Sequence, residues 1–321
     1  MKLLFLACLS PKTGNYTTAE RIRSHIESAG HTCELRDVAD FLSPSDVAHL
    51  VSQNPPFQGA LAIHLFKAGR LLLDIQLPFG VIFGGTDINE DVKDEQKRVV
   101  MEQVLLKARF AVAFTEKLKE EAEFVLVSPQ SKIYVQPQGI QTEVAEKFCW
   151  TEFLMSSEWH SENHLNILII IGPKVDPALT AKVEAVVKRA TGVFLAQERS
   201  QRKLHAVMKR CFAVVNSSES EGMSAAILEV NICKAMDLRV PVLARNIPGN
   251  AAVVKHGVNG LLFSSPQEFV HQSQRLLSDH KLRERVVRNG KLYVEENHSV
   301  KQEKETYQRL VDTLHKAQFS A

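Results

Sequence analysis

No apolar run in the 321 residues approaches the roughly 20 needed to cross a bilayer, so no transmembrane segment is expected. An excess of one charge is missing as well: 39 basic residues face 37 acidic ones, a formal net charge of +2. Such a balance offers no broad field to nucleic acid or an anionic membrane, and nucleic acid is not expected as a partner; the protein is expected to be soluble or peripheral. Cysteine is scarce. Cys8, Cys33, Cys149, Cys211 and Cys233 are odd in number, far apart, and without CxxC or Cys/His ligand spacing. They read as reduced packing side chains, which fits a cytoplasmic protein. No DxD triplet occurs, so no metal holding a diphosphate is expected and no cofactor is called for. No GxGxxG follows the first apolar stretch, which counts against a nicotinamide dehydrogenase. Internal repeats and low-complexity tracts are also missing.

What is present is a chain long enough for two domains, with 45% hydrophobic residues. Met1 to Ser10 (MKLLFLACLS) imitates a short signal peptide, and a secreted protein is the alternative if it is one. A buried first strand is preferred, because Gly14 and a helix-like segment follow at once. Short apolar strands then alternate with amphipathic helices, the rhythm of a parallel α/β sheet. Strands are expected at LLFLACL, TCELRDV, Gly59 to Ile63, Gly80 to Phe83, Ala111 to Phe114 and Lys132 to Val135. Residues Gln141 to His164 lose this pattern. A second alternation follows, with strands at Leu165 to Ile171, Gly192 to Leu195, Ala213 to Val215, Val240 to Ala244 and Gly260 to Phe263. The expected organisation is an N-terminal domain over 1–145, a linker over 146–164, a second domain over 165–295 and a helical tail over 296–321.

The segment richest in chemistry is residues 217–263. Glu221 precedes Gly222 and a helix-forming run, and Glu229 lies eight positions later. On a helix the two carboxylates stand roughly 12 Å apart along the axis, a spacing that straddles a diphosphate. One could accept from sugar hydroxyls and the other from ribose hydroxyls, while free N–H groups at the helix start face an anion. A solvated helix face supplies such pairs too; what adds weight is the strand-like PVLA and the Gly/Asn turns that follow in the order of a nucleotide-binding half.

Glu221 and Glu229 in an E-x7-E pair, the Val240 to Ala244 strand, and VNGLLF at Val258 to Phe263 together resemble the retaining glycosyltransferases with the GT-B fold, family 4 type. The resemblance covers nearly the whole chain. It implies two Rossmann-like domains with parallel sheets facing across a cleft, and a nucleotide-diphosphate sugar held mainly by the second domain. By the same resemblance Glu221 faces the donor sugar as a catalytic group and Glu229 the ribose. Gly222, Met223, Ser224 and Ala225 lie at the sugar and phosphate. Gly14 and Asn15 close the first strand where relatives use a glycine-rich loop, and glycine there lets the backbone approach an anion. His64, in GALAIHLFKAG, falls where many relatives carry a cleft histidine; it polarises the acceptor or orients the donor, or else it is a satisfied core imidazole. FGGTDIN, Phe83 to Asn89, resembles the family's HGTD segment with Gly84 in place of the histidine, leaving Asp87 to line the acceptor side or cap a turn. Thr115 and Glu116, and QPQGIQT at Gln136 to Thr142, match segments of structural character.

Two departures stand out. Relatives open the second domain with a strand, a Gly-Arg turn and a lysine that hold the diphosphate. Here ILIIIGPKVDPALTAKV matches their second strand instead, so one βα unit, on the order of 35 to 40 residues, is missing before Ile167. Lys174 is the nearest substitute. The other departure is an insertion, Val230 to Lys234, which turns the downstream helix face by about 140° and misdirects core side chains unless the helix bulges, ends early or shifts its loop. The expected function is retaining transfer of a sugar from a nucleotide sugar to an unknown acceptor. The alternatives are a catalytically impaired relative that binds nucleotide or a protein partner, and a nucleotide-sugar epimerase.

Overall fold

The computed structural model of the chain describes residues 1–10, 13–53, 55–126, 132–155, 167–172, 176–218 and 225–316, without the side chains of residues 155, 225–230 and 316. The first half runs β1 (Lys2–Ala7), α1 (Gly14–Glu27), β2 (Thr32–Asp37), α2 (Pro44–Val51), β3 (Gly59–Ile63), β4 (Phe79–Ile82), α3 (Gly85–Asn89) and α4 (Glu95–Lys107). It continues with β5 (Phe110–Ala113), α5 (Glu116–Val125) and β6 (Ile133–Val135). The second half begins with α6 (Trp150–Met155), β7 (Leu168–Ile171), α7 (Pro177–Val187), β8 (Val193–Ala196), α8 (Gln201–Arg210), β9 (Val214–Asn216) and α9 (Ala225–Asp237). It ends with β10 (Val242–Arg245), α10 (Pro248–Val253), β11 (Leu261–Phe263), α11 (Pro266–Ser278), α12 (His280–Asn297) and α13 (Val300–Lys316).

The first sheet is six-stranded and parallel, in the order β2-β1-β3-β4-β5-β6. Strands β1 and β3 to β5 read as unbroken apolar runs because helices cover both faces of a parallel sheet. Alternate residues of β1 divide between two cores: Leu4 and Leu6 pack with Phe83 and Met101, while Leu3 and Phe5 pack with Ile22 and Ile26 of α1. The helices start where polar side chains satisfy free N–H groups. Thr13 caps α1, Asp94 caps α4 and Thr115 caps α5. The expected Thr115–Glu116 helix opening is therefore observed, with the Thr115 hydroxyl accepting from the Leu118 amide at 3.0 Å.

The last helix does not extend from the second half as a solvated tail. Tyr307, Leu310, Val311 and Leu314 of α13 are buried in the core made by β1, β3 and α1. Burying each such side chain stabilises by about 1.5–3 kcal/mol, which ties the C-terminal helix to the first sheet.

The second sheet is divided. β9, β10 and β11 form a three-stranded parallel sheet, β7 and β8 a two-stranded one, and no pairing joins β7 to β9 among the described residues. Leu168 and Ile170, on one face of β7, are 44% and 41% exposed, whereas every residue of β3 is buried. Helix α7 has no buried residue at all, and its Leu179 and Val186 face outward. Among the described residues β7 thus pairs on one side only, with β8, and no helix covers its exposed face, in line with the expected absence of one βα unit.

The insertion has an outcome different from the one expected. Helix α9 runs without interruption through Val230 to Lys234. Ile232 and Cys233 from the insertion are themselves buried, beside Ala235 and Met236, so they supply the core face rather than displacing it.

Candidate functional site

The order β2-β1-β3 places a topological switch point between β1 and β3, and ligands of open α/β sheets bind outside the carboxyl ends of strands at such points. The segments after β1, β3 and β4 meet there. Asn15, in the first turn of α1, brings its side-chain Nδ2 within 3.0 Å of His64 Nε2. His64 follows β3 directly and is only 3% exposed. Its backbone sits in the left-handed region at φ 75°, a conformation that costs a non-glycine residue about 1–3 kcal/mol.

Asp87 holds that conformation in place. Its carboxylate, fully buried in the first turn of α3, accepts from the Leu65 amide at 3.0 and 3.1 Å, from Gly84 at 2.8 Å and from Phe66 at 3.5 Å. One carboxylate thereby pins the turn after β3 to the turn after β4. The imidazole Nδ1 lies 3.2 Å from Thr86 Oγ1 and 3.8 Å from Asp87 Oδ2. Gly84 explains the departure from HGTD: a Cβ built there would lie 1.9 Å from His64 Cε1. The ring of His64 fills the space a side chain at 84 would occupy.

A second cluster of charges links the halves of the chain. Glu303 of α13, completely buried, accepts from Arg21 Nε at 2.9 Å and Arg21 Nη2 at 3.1 Å, and meets His25 Nε2 at 3.0 Å. Arg21 Nη2 and Thr18 Oγ1 also donate to Gln138 Oε1 at 3.0 and 3.1 Å. Gln138 belongs to the QPQGIQT segment, whose main chain is held by His298: Nδ1 meets the Gln138 carbonyl at 3.0 Å, and the His298 carbonyl accepts from Ile140 at 2.9 Å. Burial pushes the Glu303 carboxyl up, but the His25 hydrogen bond and the Arg21 charge outweigh it and leave it below the usual carboxylate range. Farther along, Asp237 of α9 accepts from Thr142 Oγ1 at 2.5 Å and from Lys291 Nζ at 2.7 Å. Lys234, which donates to Gln201 Oε1 at 2.8 Å, is drawn below its ordinary value first by burial and then by the charge of Arg21.

Gly14 opens α1 beside Asn15, as expected for the loop after the first strand. On the donor side, Glu221, Gly222, Met223 and Ser224 lie outside the described residues, as does Lys174. Ala225 is the first residue of α9, and Glu229 lies within the same helix; the side chains of both are outside the description. Helix α9 follows β9, and β9 pairs in parallel with β10, so its N-terminus lies beyond the carboxyl edge of that sheet, where free N–H groups gather.

A family model described as "Glycosyl transferases group 1" matches residues 158–293. The chain is 49% identical, over 346 aligned positions covering 98% of both sequences, to glycosyltransferase 1 domain-containing protein 1 of Xenopus tropicalis. The chain belongs to the group 1 glycosyltransferases. Its backbone is similar to that of HepE from Anabaena, solved in complex with UDP and glucose, with a TM-score of 0.71 at 14% identity, covering 98% of this chain and 100% of that one. Sucrose-phosphate synthase from Thermosynechococcus elongatus is similar with a TM-score of 0.74 at 12% identity, covering 99% and 100%. These likenesses establish the GT-B type of fold for this group 1 glycosyltransferase. The 346 aligned positions exceed the 321 residues of this chain by 25, so the frog relative carries at least 25 residues without a counterpart here.

Sequence reasoning did not single out Thr86, or the cluster of Thr18, Arg21, His25 and Glu303. Nothing local announces the cluster, because its members on α1 are 117 to 282 positions from Gln138 and Glu303. Thr86 was within reach, since it adjoins Asp87 in a segment already marked for its chemistry.

Proposed function

We propose that this glycosyltransferase retains the anomeric configuration, moving a sugar from a nucleotide-diphosphate sugar to an acceptor hydroxyl without a metal ion. The observation that carries the reading is the meeting of Asn15 and His64 at the switch point of the first sheet. A polar pair brought together from two strand ends suits a substrate cleft better than a core, which would not need the left-handed turn at His64. In this reading Glu221 faces the donor sugar and Glu229 the ribose, with Gly222 to Ala225 at the phosphates. His64 orients the acceptor hydroxyl or the donor. The N-terminus of α9 offsets charge on the leaving diphosphate. HepE, which shares the fold, was solved with UDP and glucose, and a UDP sugar is the first donor to try. A cytoplasmic setting suits five free thiols, of which Cys33 and Cys233 are buried.

A specific observation favours the second reading, a catalytically impaired relative: among the described residues no strand joins β7 to β9, where the unit expected to be missing would belong. One experiment separates the two. The chain, and a Glu221→Ala variant, are incubated with UDP-, GDP- and ADP-sugars in the presence of a chelator. Release of sugar with retained anomeric configuration, abolished by the substitution, supports the transferase. No turnover with any donor by a folded chain supports the second reading. An altered sugar still attached to its nucleotide would mean epimerisation.

A further inference from the structure

The two nitrogens of the His64 imidazole meet different chemistry. Nδ1 faces the Thr86 hydroxyl at 3.2 Å, with an oxygen of the Asp87 carboxylate behind it at 3.8 Å. Nε2 faces the side-chain amide of Asn15 at 3.0 Å. A hydroxyl and an amide serve equally well as donor or acceptor, and alone they leave the ring's proton undecided. A carboxylate does not. Asp87 can only accept, and its negative charge repels a lone pair turned toward it while stabilising an N–H on the same side. Its position is fixed, because the Leu65, Phe66 and Gly84 amides hold both of its oxygens.

We propose that Thr86 and Asp87 are positioning residues that place the proton of the uncharged His64 tautomer on Nδ1, which leaves Nε2, toward Asn15, as the nitrogen with the free lone pair. Nδ1–H then donates to Thr86 Oγ1, and the Asn15 amide donates to Nε2. Any hydrogen bond or proton that His64 accepts during sugar transfer enters at Nε2. The consequence for transfer rests on the functional reading above, whereas the place of the proton does not.

Nitrogen-15 spectra of the imidazole, assigned through the signal lost in His64→Gln, read the tautomer in the unliganded full-length chain. The expected ring is protonated on Nδ1 in the wild type and in Thr86→Ser, which keeps the hydroxyl. In Thr86→Val, a substitution of nearly equal shape, the population moves toward Nε2–H. Asp87→Asn, which turns one acceptor into a donor, moves it in the same direction. A wild-type ring protonated on Nε2, or a Thr86→Val ring unchanged from wild type, overturns the proposal. In turnover with the active donor, Thr86→Val lowers kcat roughly three- to tenfold, the size of one hydrogen bond, with KM little changed and Thr86→Ser restored. In a His64→Gln background the loss disappears; a loss of equal size there overturns the proposal as well. Failure of the wild type to turn over any donor defeats the transferase reading, and the nitrogen spectra still decide the place of the proton.

Discussion

Replacing Gly84 by alanine tests the packing on which the first half of the site depends. The backbone at Gly84 has φ −94° and ψ 160°, an extended conformation open to alanine, so the substitution brings no backbone strain. Its cost is steric alone. The new Cβ would lie 1.9 Å from His64 Cε1 and 2.0 Å from Nδ1, where ordinary contact begins at 3.4 Å. The ring must withdraw by roughly 1.5 Å, farther than its contacts with Thr86 and Asn15 can stretch. Overpacking of this kind costs about 1–3 kcal/mol, and two lost hydrogen bonds add about 1 kcal/mol each, for a total of roughly 3–5 kcal/mol. In thermal unfolding, at about 2 °C or more for each kcal/mol in a chain of this size, the midpoint drops by roughly 6–10 °C. The control is His64→Gly, which removes the ring and relaxes the left-handed turn. In that background Gly84→Ala costs less than about 0.5 kcal/mol, the level of an uncongested substitution. Equal midpoints for Gly84→Ala and wild type, or an equal loss in both backgrounds, would refute the reasoning.

Glu303→Gln removes one member of a buried ion pair and leaves Arg21 facing a neutral amide; urea unfolding should show a loss of about 3 kcal/mol or more, and a loss below about 1 kcal/mol would mean that water reaches the pair. Burial lowers the pKa of both His205 and His298 below the ordinary 6.5, so the unfolded chain binds more protons than the folded one as pH falls through that value. Stability should therefore be full above about pH 6.5 and decline on acidification toward the lower folded values, and replacing both residues with glutamine should flatten the decline in urea midpoints. Leu168→Ser and Ile170→Ser in β7 should each cost about 0.5 kcal/mol or less, in contrast to the 2–5 kcal/mol typical of a strand buried on both faces; core-sized losses would show that the second sheet is closed.

The strands were legible because parallel strands covered on both faces are continuous apolar runs, and LLFLACL, GALAI and FAVA announce themselves. Helix α3 was not: its five residues, GTDIN, have no apolar period, and the segment becomes a helix because Asp87 gathers amides from two turns. The fate of Val230 to Lys234 was misjudged for a similar reason. Counting residues against a family pattern treats the added turn as a rotation of fixed side chains, whereas Ile232 and Cys233 are apolar and could take core positions themselves. The final helix read as a charged tail because its buried stripe, Tyr307, Leu310, Val311 and Leu314, is narrow, and only the first sheet's uncovered face shows where it belongs. Position after a strand marked His64 and Asn15, which the fold brings within 3.0 Å of each other, and of the two readings of Asp87 its contacts with the Leu65 and Gly84 amides match the capping of a turn.

The break in the second sheet bears on affinity more than on chemistry. The strand ends that precede Glu221 and Glu229 are retained, since β9 and β10 pair in register and α9 follows them. The unit that the family resemblance leads one to expect as missing would lie before β7, where relatives carry the arginine and lysine that hold the diphosphate. A charge-assisted hydrogen bond to an anion contributes about 1.5–3 kcal/mol, so the loss of two removes roughly 3–6 kcal/mol from donor binding. That is a factor of about 10² to 10⁴ in Kd. Titrated with UDP in parallel, this chain should bind that much more weakly than the frog relative, which carries at least 25 further residues. Equal affinities would mean that other cations of this chain reach the diphosphate and that the open edge between β7 and β9 is of no consequence for the donor.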